Sequence, residues 1–255
     1  MIILYYIFVL IICYYIFWVY KNVFYLNSLI SNYDNLIFII SDIKCKCSKN
    51  KFFKCKKCNV KNLIDIENLD ELMSMLQLIN LSKCKICHII IHSEGGECAG
   101  IDAVSRLLSE SKINVNTYIP QYAFSAGTMM SICGDSIYMN WYSLMGPLDT
   151  QLEYDEDDTF SAKHIKQFRN KSWAKEKDFL KGLEAESVHN DDEFLLDRIL
   201  KKNAKKDRII KRLLNTKFSH DMSFNRDDIK DIGLPVIFNI PDKVMNIFYT
   251  FKKIF

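Results

Sequence analysis

The chain has 255 residues, a formal net charge of +3, four prolines and eight glycines. That length holds one ordinary α/β domain and an accessory segment. The near balance of charge argues against a nucleic-acid binder, and the scarcity of proline and glycine argues against long disordered linkers.

The elements are predicted in chain order. Residues 2–20 carry no charge, and as a helix they span about 28 Å, close to the hydrocarbon thickness of a bilayer. Tyr14, Tyr15, Phe17, Trp18 and Tyr20 enrich the end of the run, as suits an interfacial belt. No basic stretch precedes it and no small-x-small cleavage site follows it, so residues 1–21 are expected to be a retained transmembrane anchor. No Lys or Arg precedes the run, and eight lysines fall between Lys44 and Lys61. The positive-inside rule then predicts a single-pass protein with its bulk in the cytosol, where thiols stay reduced.

Residues 22–43 are expected to hold a juxtamembrane segment and a first strand, Leu36–Ile40. Residues 44–61 form a basic, cysteine-bearing insert. Its Cys45, Cys47, Cys55 and Cys58 are a C-x-C and C-x-x-C set, which supplies the four thiolates of a structural zinc site; a flexible basic loop with free thiols fits the same residues. Its lysines also suit anionic headgroups of the lipid bilayer. Residues 62–255 are expected to be one domain.

Within that domain Leu69, Leu72, Leu76 and Ile79 lie on one helical face. Strands are expected at Ile86–Ile91, Val115–Ile119 and Ser136–Met139, with helices over 98–109 and 125–133 between them. This alternation predicts βαβ units and a largely parallel sheet. An apolar stripe through Leu195, Ile199, Ile210 and Leu214 marks a helical tail. A short helix over 225–232 is capped by Asn225 and ended by Gly233.

Two loops carry candidate chemistry. Ser125 follows one strand and opens a helix, where backbone N–H groups point outward and the dipole favours an anion. Taken alone, that is also an ordinary N-cap. Gly95-Gly96 follows the strand next upstream, at the carboxyl end where ligands bind in open α/β sheets. An N–H from each loop would make a two-donor oxyanion hole.

His92-Ser93-Glu94-Gly95-Gly96, then Ala123-Phe124-Ser125-Ala126-Gly127-Thr128, then Gly146-Pro147-Leu148-Asp149-Thr150-Gln151 together resemble the serine dehydrogenase proteinase family. That family sits in the Clp protease/crotonase superfamily and is related to signal peptide peptidase A. Ile64-Asp65-Ile66-Glu67, Phe218-Ser219-His220-Asp221 and Leu234-Pro235-Val236 extend the resemblance over nearly the whole chain.

The resemblance implies an α/β Clp/crotonase-like fold of repeated β-β-α units with a largely parallel sheet, preceded by one transmembrane helix. It implies a membrane-anchored serine peptidase acting on a peptide or membrane-protein substrate, without a catalytic cofactor, and a homo-oligomer. Ser125 would be the nucleophile, the Gly96 and Ala126 amides the oxyanion hole, and Gly95, Gly127 and Asp149 supporting residues. Relatives generally use a lysine base, which places Lys177, with Lys175 and Lys181 as rivals, in that role. Glu94 stands where the family has proline, and the acidic run Glu153–Asp158 falls where a substrate-groove loop is expected; both leave room for a catalytically inactive scaffold of this fold. Crotonase-type acyl-thioester chemistry would use the same oxyanion hole but needs no nucleophilic serine.

Overall fold

The computed structural model describes residues 12, 14–22, 24, 36–41, 86–96, 99–110, 113–155, 158–168, 175–215 and 222–254. The cysteine set Cys45, Cys47, Cys55 and Cys58, the expected helix through Leu69 and Ile79, and most of the expected anchor lie outside these residues. Residues 14–22 are helical, with Tyr14, Tyr15, Ile16, Phe17 and Tyr20 exposed. Among the described residues no helix is long and apolar enough to cross a membrane.

The centre is a five-stranded sheet in the order β1 (Leu36–Ser41), β2 (Ile86–His92), β3 (Asn114–Ile119), β5 (Ser136–Met139) and β9 (Val236–Phe238). Every pairing in it is parallel. A parallel sheet is covered on both faces, so its strands read as continuous apolar runs rather than alternating ones, and β2 is buried along nearly its whole length. Helices α1 (Ala99–Glu110) and α2 (Ala126–Ser131) follow β2 and β3. Cys87, Ile89 and Ile91 belong to the main core with them, together with Val115, Ile119, Ile137 and Met139. The alternate residue Ile90 joins Tyr118 in a second core with Val244, Ile247 and Phe248 of α7 (Asp242–Ile254).

Three main strands run on into short extended stretches that leave the sheet. Ser93 continues β2, β4 (Tyr122–Ala123) continues β3, and β6 (Leu144–Met145) follows β5. β4 pairs in parallel with β6, and Ala123 bridges Ser93. This second, smaller layer is the physical form of the repeated β-β-α units. β7 (Gln151–Asp155) and β8 (Asp158–Ser161) form an antiparallel hairpin where the acidic run lies.

The helical tail consists of α3 (Ala162–Phe168), α4 (Glu176–Ile199), α5 (Lys206–Leu213) and α6 (Arg226–Ile232). α6 begins and ends where its caps predict: the Asn225 side chain accepts from the amides of Asp227 and Asp228, and Gly233 closes it in the left-handed region. β9 and α7 carry the chain past that helix to cover the second face of the sheet. In α4 the buried residues are Asp178, Gly182, Ala185, Asp192, Leu195 and Leu196. Only the last two are large and apolar, so just one end of this helix is tied into the main core.

Candidate active site

The loops after β2, β3 and β5 meet at the carboxyl end of the sheet. Ser93 donates its amide to the Tyr122 carbonyl at 3.3 Å and accepts from the Phe124 amide at 2.9 Å. Its hydroxyl accepts from the Gly95 amide at 3.1 Å, folding the Gly-Gly turn back on itself. The Thr128 hydroxyl, fully buried, donates towards the Ala123 and Gly146 carbonyls at 2.8 and 3.0 Å. The Gly146 amide donates back to Thr128 at 3.2 Å. Thr128 therefore ties together the second and third of the sequence motifs, and Ser93 ties the first to the second.

Ser125 sits in the turn these bonds hold. Its backbone has φ 50° and ψ −119°, and the Gly127 amide donates to the Phe124 carbonyl at 2.8 Å across it. That is the first central position of a type II′ turn, which glycine normally fills. A side chain there costs about 1–3 kcal/mol and persists only where its surroundings over-determine it. The serine caps nothing: its side chain makes no capping bond to α2. The expected N-cap role is therefore replaced by a strained strand-to-helix turn. α2 is only six residues long, so its dipole contributes less than the amides themselves. Ala126, as the first helical residue, has an amide with no acceptor within the helix.

Gly95 has φ 130° and Gly96 φ 145°. A Cβ on Gly95 would stand 2.9 Å from the Ser125 Cβ and 3.4 Å from its Oγ. Glycine is thus required twice over, by backbone conformation and by the approach of the serine. Gly127 packs similarly, with the Ser93 carbonyl 3.3 Å from where its Cβ would be.

Ser125 and Gly96 open into a cleft of about 770 Å³ lined also by Glu94, Thr150, Gln151 and the second half of α4. Asp149, buried, accepts from the Ser161 hydroxyl and from Gln151 Nε2. Thr150 donates to Asp192 at 2.7 Å. Burial raises the Asp192 carboxyl above its ordinary value, an effect that the Thr150 bond and His189 oppose and that Asp191 and Asp149 reinforce. On the other wall Asp102 accepts from Arg198 at 2.5 Å and from Arg106 at 2.8 Å, joining α1 to α4. Burial pushes the Asp102 carboxyl up, but the two guanidinium groups outweigh it and hold it low.

The structure brings Gly95 and Gly96 to Ser125, Ala126 and Gly127, while Asp149 is buried against Ser161 and Gln151. It does not bring Lys177 to them. Lys177 lines a separate hollow with Glu176, Leu180, Lys181 and Glu184, and Lys181 is paired with Glu184 at 2.9 Å. Lys175 precedes the first residue of α4. The cleft is lined by α4 from Val188 onward, about 16 Å along the helix axis from Lys177. Among the described residues the cations lining the cleft are Arg106 and Arg198, which do not deprotonate and cannot serve as bases. Asp192, Asp102 and Arg198 were not visible as site residues in the sequence. The one signal for Asp192 and Arg198 is that Asp191, Asp192, Leu195 and Arg198 recur at helical spacing on one side of α4.

His92 ends β2 beneath the glycine turn. It is buried, with its ring 4.2 Å from Tyr122 and 5.2 Å from Phe248. Burial, with a smaller push from Lys252, lowers its pKa to about 4. Among the described residues its Nδ1 has no hydrogen-bond partner, and burial favours the neutral ring. Burial pushes the Cys133 thiol up to about 12, and its Sγ donates to the Met129 carbonyl at 3.5 Å.

A sequence profile of ClpP-like SDH-type serine proteinases matches residues 50–254. Uncharacterized protein MJ1495 of Methanocaldococcus jannaschii is 26% identical over 184 residues, covering 71% of this chain and 61% of that relative. The chain therefore spans less than two thirds of that relative's length. Two structures of the 1510-N membrane-bound stomatin-specific protease share the fold at 13% identity. One, a serine mutant, gives a TM-score of 0.52 over 84% of this chain and 85% of that one. The other, a lysine mutant in complex with a substrate peptide, gives 0.51 over 83% and 79%.

Proposed function

The chain belongs to the family of ClpP-like SDH-type serine proteinases, and on that premise we propose that it is a serine peptidase with Ser125 as its nucleophile. The observation that carries the reading is the backbone at Ser125. A left-handed φ of 50°, kept at a residue with no capping duty, is strain that function explains and packing does not. The turn presents the hydroxyl at the cleft beside Gly96.

In this reading Ser125 Oγ attacks the scissile carbonyl carbon while a base takes its proton. The carbonyl oxygen becomes an oxyanion held by the Gly96 and Ala126 amides, at about 3 kcal/mol per donor. Collapse expels the amine, which takes the proton from the base. Water then hydrolyses the acyl-enzyme by the same path. Treatment of the purified chain with a fluorophosphonate probe tests this, with Ser125→Ala as the control. Labelling confined to the parent is expected. Equal labelling of both would put the reactive nucleophile elsewhere and sink the assignment, and labelling of neither would leave an inactive scaffold.

A lysine base is the finer part of the proposal. Lys177 can serve only if the first half of α4 moves to the cleft. A Lys177→Ala chain that folds normally and labels roughly 100-fold more slowly would support the pair. Unchanged labelling would instead favour Asp192, a buried carboxyl in the Ser125 cleft with a raised pKa. That base works only when ionised, so labelling would then rise with pH through the raised pKa, and Asp192→Asn would abolish the limb.

We further propose that residues 1–21 anchor the chain in a membrane, that residues 44–61 hold zinc on Cys45, Cys47, Cys55 and Cys58, and that the chain self-associates. The exposed aromatics of residues 14–22 support the anchor. Resistance to carbonate extraction, loss of zinc in Cys55→Ser, and light scattering check the three in turn.

A further inference from the structure

Trp141 is 74% exposed, more than any other large apolar side chain described. It lies in the turn between β5 and β6, beside Tyr142, whose ring meets it edge-on at 5.3 Å. Tyr142 is fixed from two sides. The Asn140 side-chain amide donates to its hydroxyl at 3.0 Å, and Tyr249 of α7 is hydrogen-bonded to it. Tyr249 is itself 40% exposed. A tryptophan held out to solvent on a rigid support adds nothing to the core.

Its surroundings have a definite chemistry. Lys252 and Lys253 follow Tyr249 by three and four residues on α7, which sets them on the same side of the helix. Both are exposed, and Lys252 donates to Gln121 at 2.9 Å. Trp and Tyr, with apolar rings and polar tips, favour the water–bilayer boundary, and lysine beside them favours anionic headgroups. A second copy of this surface would oppose lysine to lysine.

The position also matters. β3 and β5 are parallel neighbours, so the turn bearing Trp141 and the turn bearing Ser125 emerge at the same end of the sheet. We propose that Trp141, Tyr142 and Tyr249, with Lys252 and Lys253, form a second membrane contact that seats the Ser125 end of the domain on an anionic lipid surface. Its substrate is then a polypeptide segment lying close to that surface. This rests on the anchored-peptidase reading and adds where the cleft faces.

The test is tryptophan quenching by brominated acyl chains. Full-length chain and Trp141→Phe are reconstituted into phosphatidylcholine vesicles with and without phosphatidylserine, and the difference between them isolates Trp141. Trp141 emission is expected to fall roughly twofold, and further with phosphatidylserine. Lys252→Glu with Lys253→Glu should remove the phosphatidylserine dependence. With Trp173→Phe introduced into both chains, quenching that remains in Trp141→Phe reports the anchor, through Trp18. If that quenching is present and Trp141 is unquenched, the second contact is wrong and the anchor stands. Burial of Trp141 against another copy, seen as a blue shift without quenching, overturns it as well. Absence of quenching in both chains sinks anchor and contact together.

Discussion

The turn around Ser125 and the first half of α4 carry the two groups that a serine–lysine pair would need, and they are built in opposite ways. Ser125 is enclosed by Ser93, Gly95 and Thr128, each bonded or packed to a different loop. Lys177 stands on a helical stretch whose buried residues are Asp178, Gly182 and Ala185, the last packed with Ala162 and Ile165 of α3. Phe179 and Leu180 of the same stretch are about half exposed, at 47% and 57%. Rigid enclosure can hold a strained backbone; a helix end with few large buried groups opens at lower cost. The contrast places the proposed nucleophile in a tightly enclosed turn and its proposed base on a stretch of helix with few large buried groups.

Substitutions break or sharpen this contrast. Gly95→Ala should do the most damage. The new Cβ meets Ser125 and forces an unfavourable φ, so we expect about 3 kcal/mol of destabilisation by chemical denaturation and at least ~100-fold slower fluorophosphonate labelling. A chain as stable as the parent would show that the turn is not enclosed as described.

Acid should act next, through His92. Its pKa is lowered from 6.5 to about 4, so between those values the unfolded chain binds the proton and the folded chain does not. Stability contributed by the neutral ring is therefore present above about pH 6.5, falls as pH drops towards 4, and levels off below, with about 3 kcal/mol at stake. Denaturant midpoints across that window should show the fall, and His92→Phe should reduce it, leaving the share of His88, whose ring burial also holds below its ordinary value. A parent profile with no such slope would mean that the ring is not buried neutral.

Ser125→Gly should have a smaller effect of opposite sign. Glycine relaxes the turn, so stability should rise by about 1 kcal/mol while labelling is lost. Ser125→Ala keeps the strain and should not gain. A higher melting temperature for alanine than for glycine would remove strain from the account. Leu180→Ala, on the exposed helix, should change stability by less than about 0.5 kcal/mol. A large loss there would mean that the face is covered by something.

Much of the serine's surroundings was legible in the sequence because short-range patterns carry it. A glycine pair after an apolar run and a serine before a small-residue helix are each set by a few neighbouring residues. β1, β2, β3, β5 and the capped α6 were readable for the same reason. The helix after them was less so. Its buried set mixes Asp178 and Asp192 with small residues, so no apolar stripe shows which side, or which half, meets the core. β9 and α7 lie beyond Gly233 and Pro235, and their part in covering the second face of the sheet appears only in the fold.

From the residues alone follow a parallel α/β sheet, a serine and a glycine pair at neighbouring strand ends, and three loops able to meet there. Only the tertiary structure decided that Ser125 takes a glycine's backbone conformation, that Thr128 and Ser93 stitch the loops, and that Lys177 lies along α4 away from the cleft while Asp192 lines it. The reason is distance along the chain. Local sequence specifies turns and strands, whereas the half of a long helix that faces a cleft is chosen by which of its residues can be buried against elements far away in sequence.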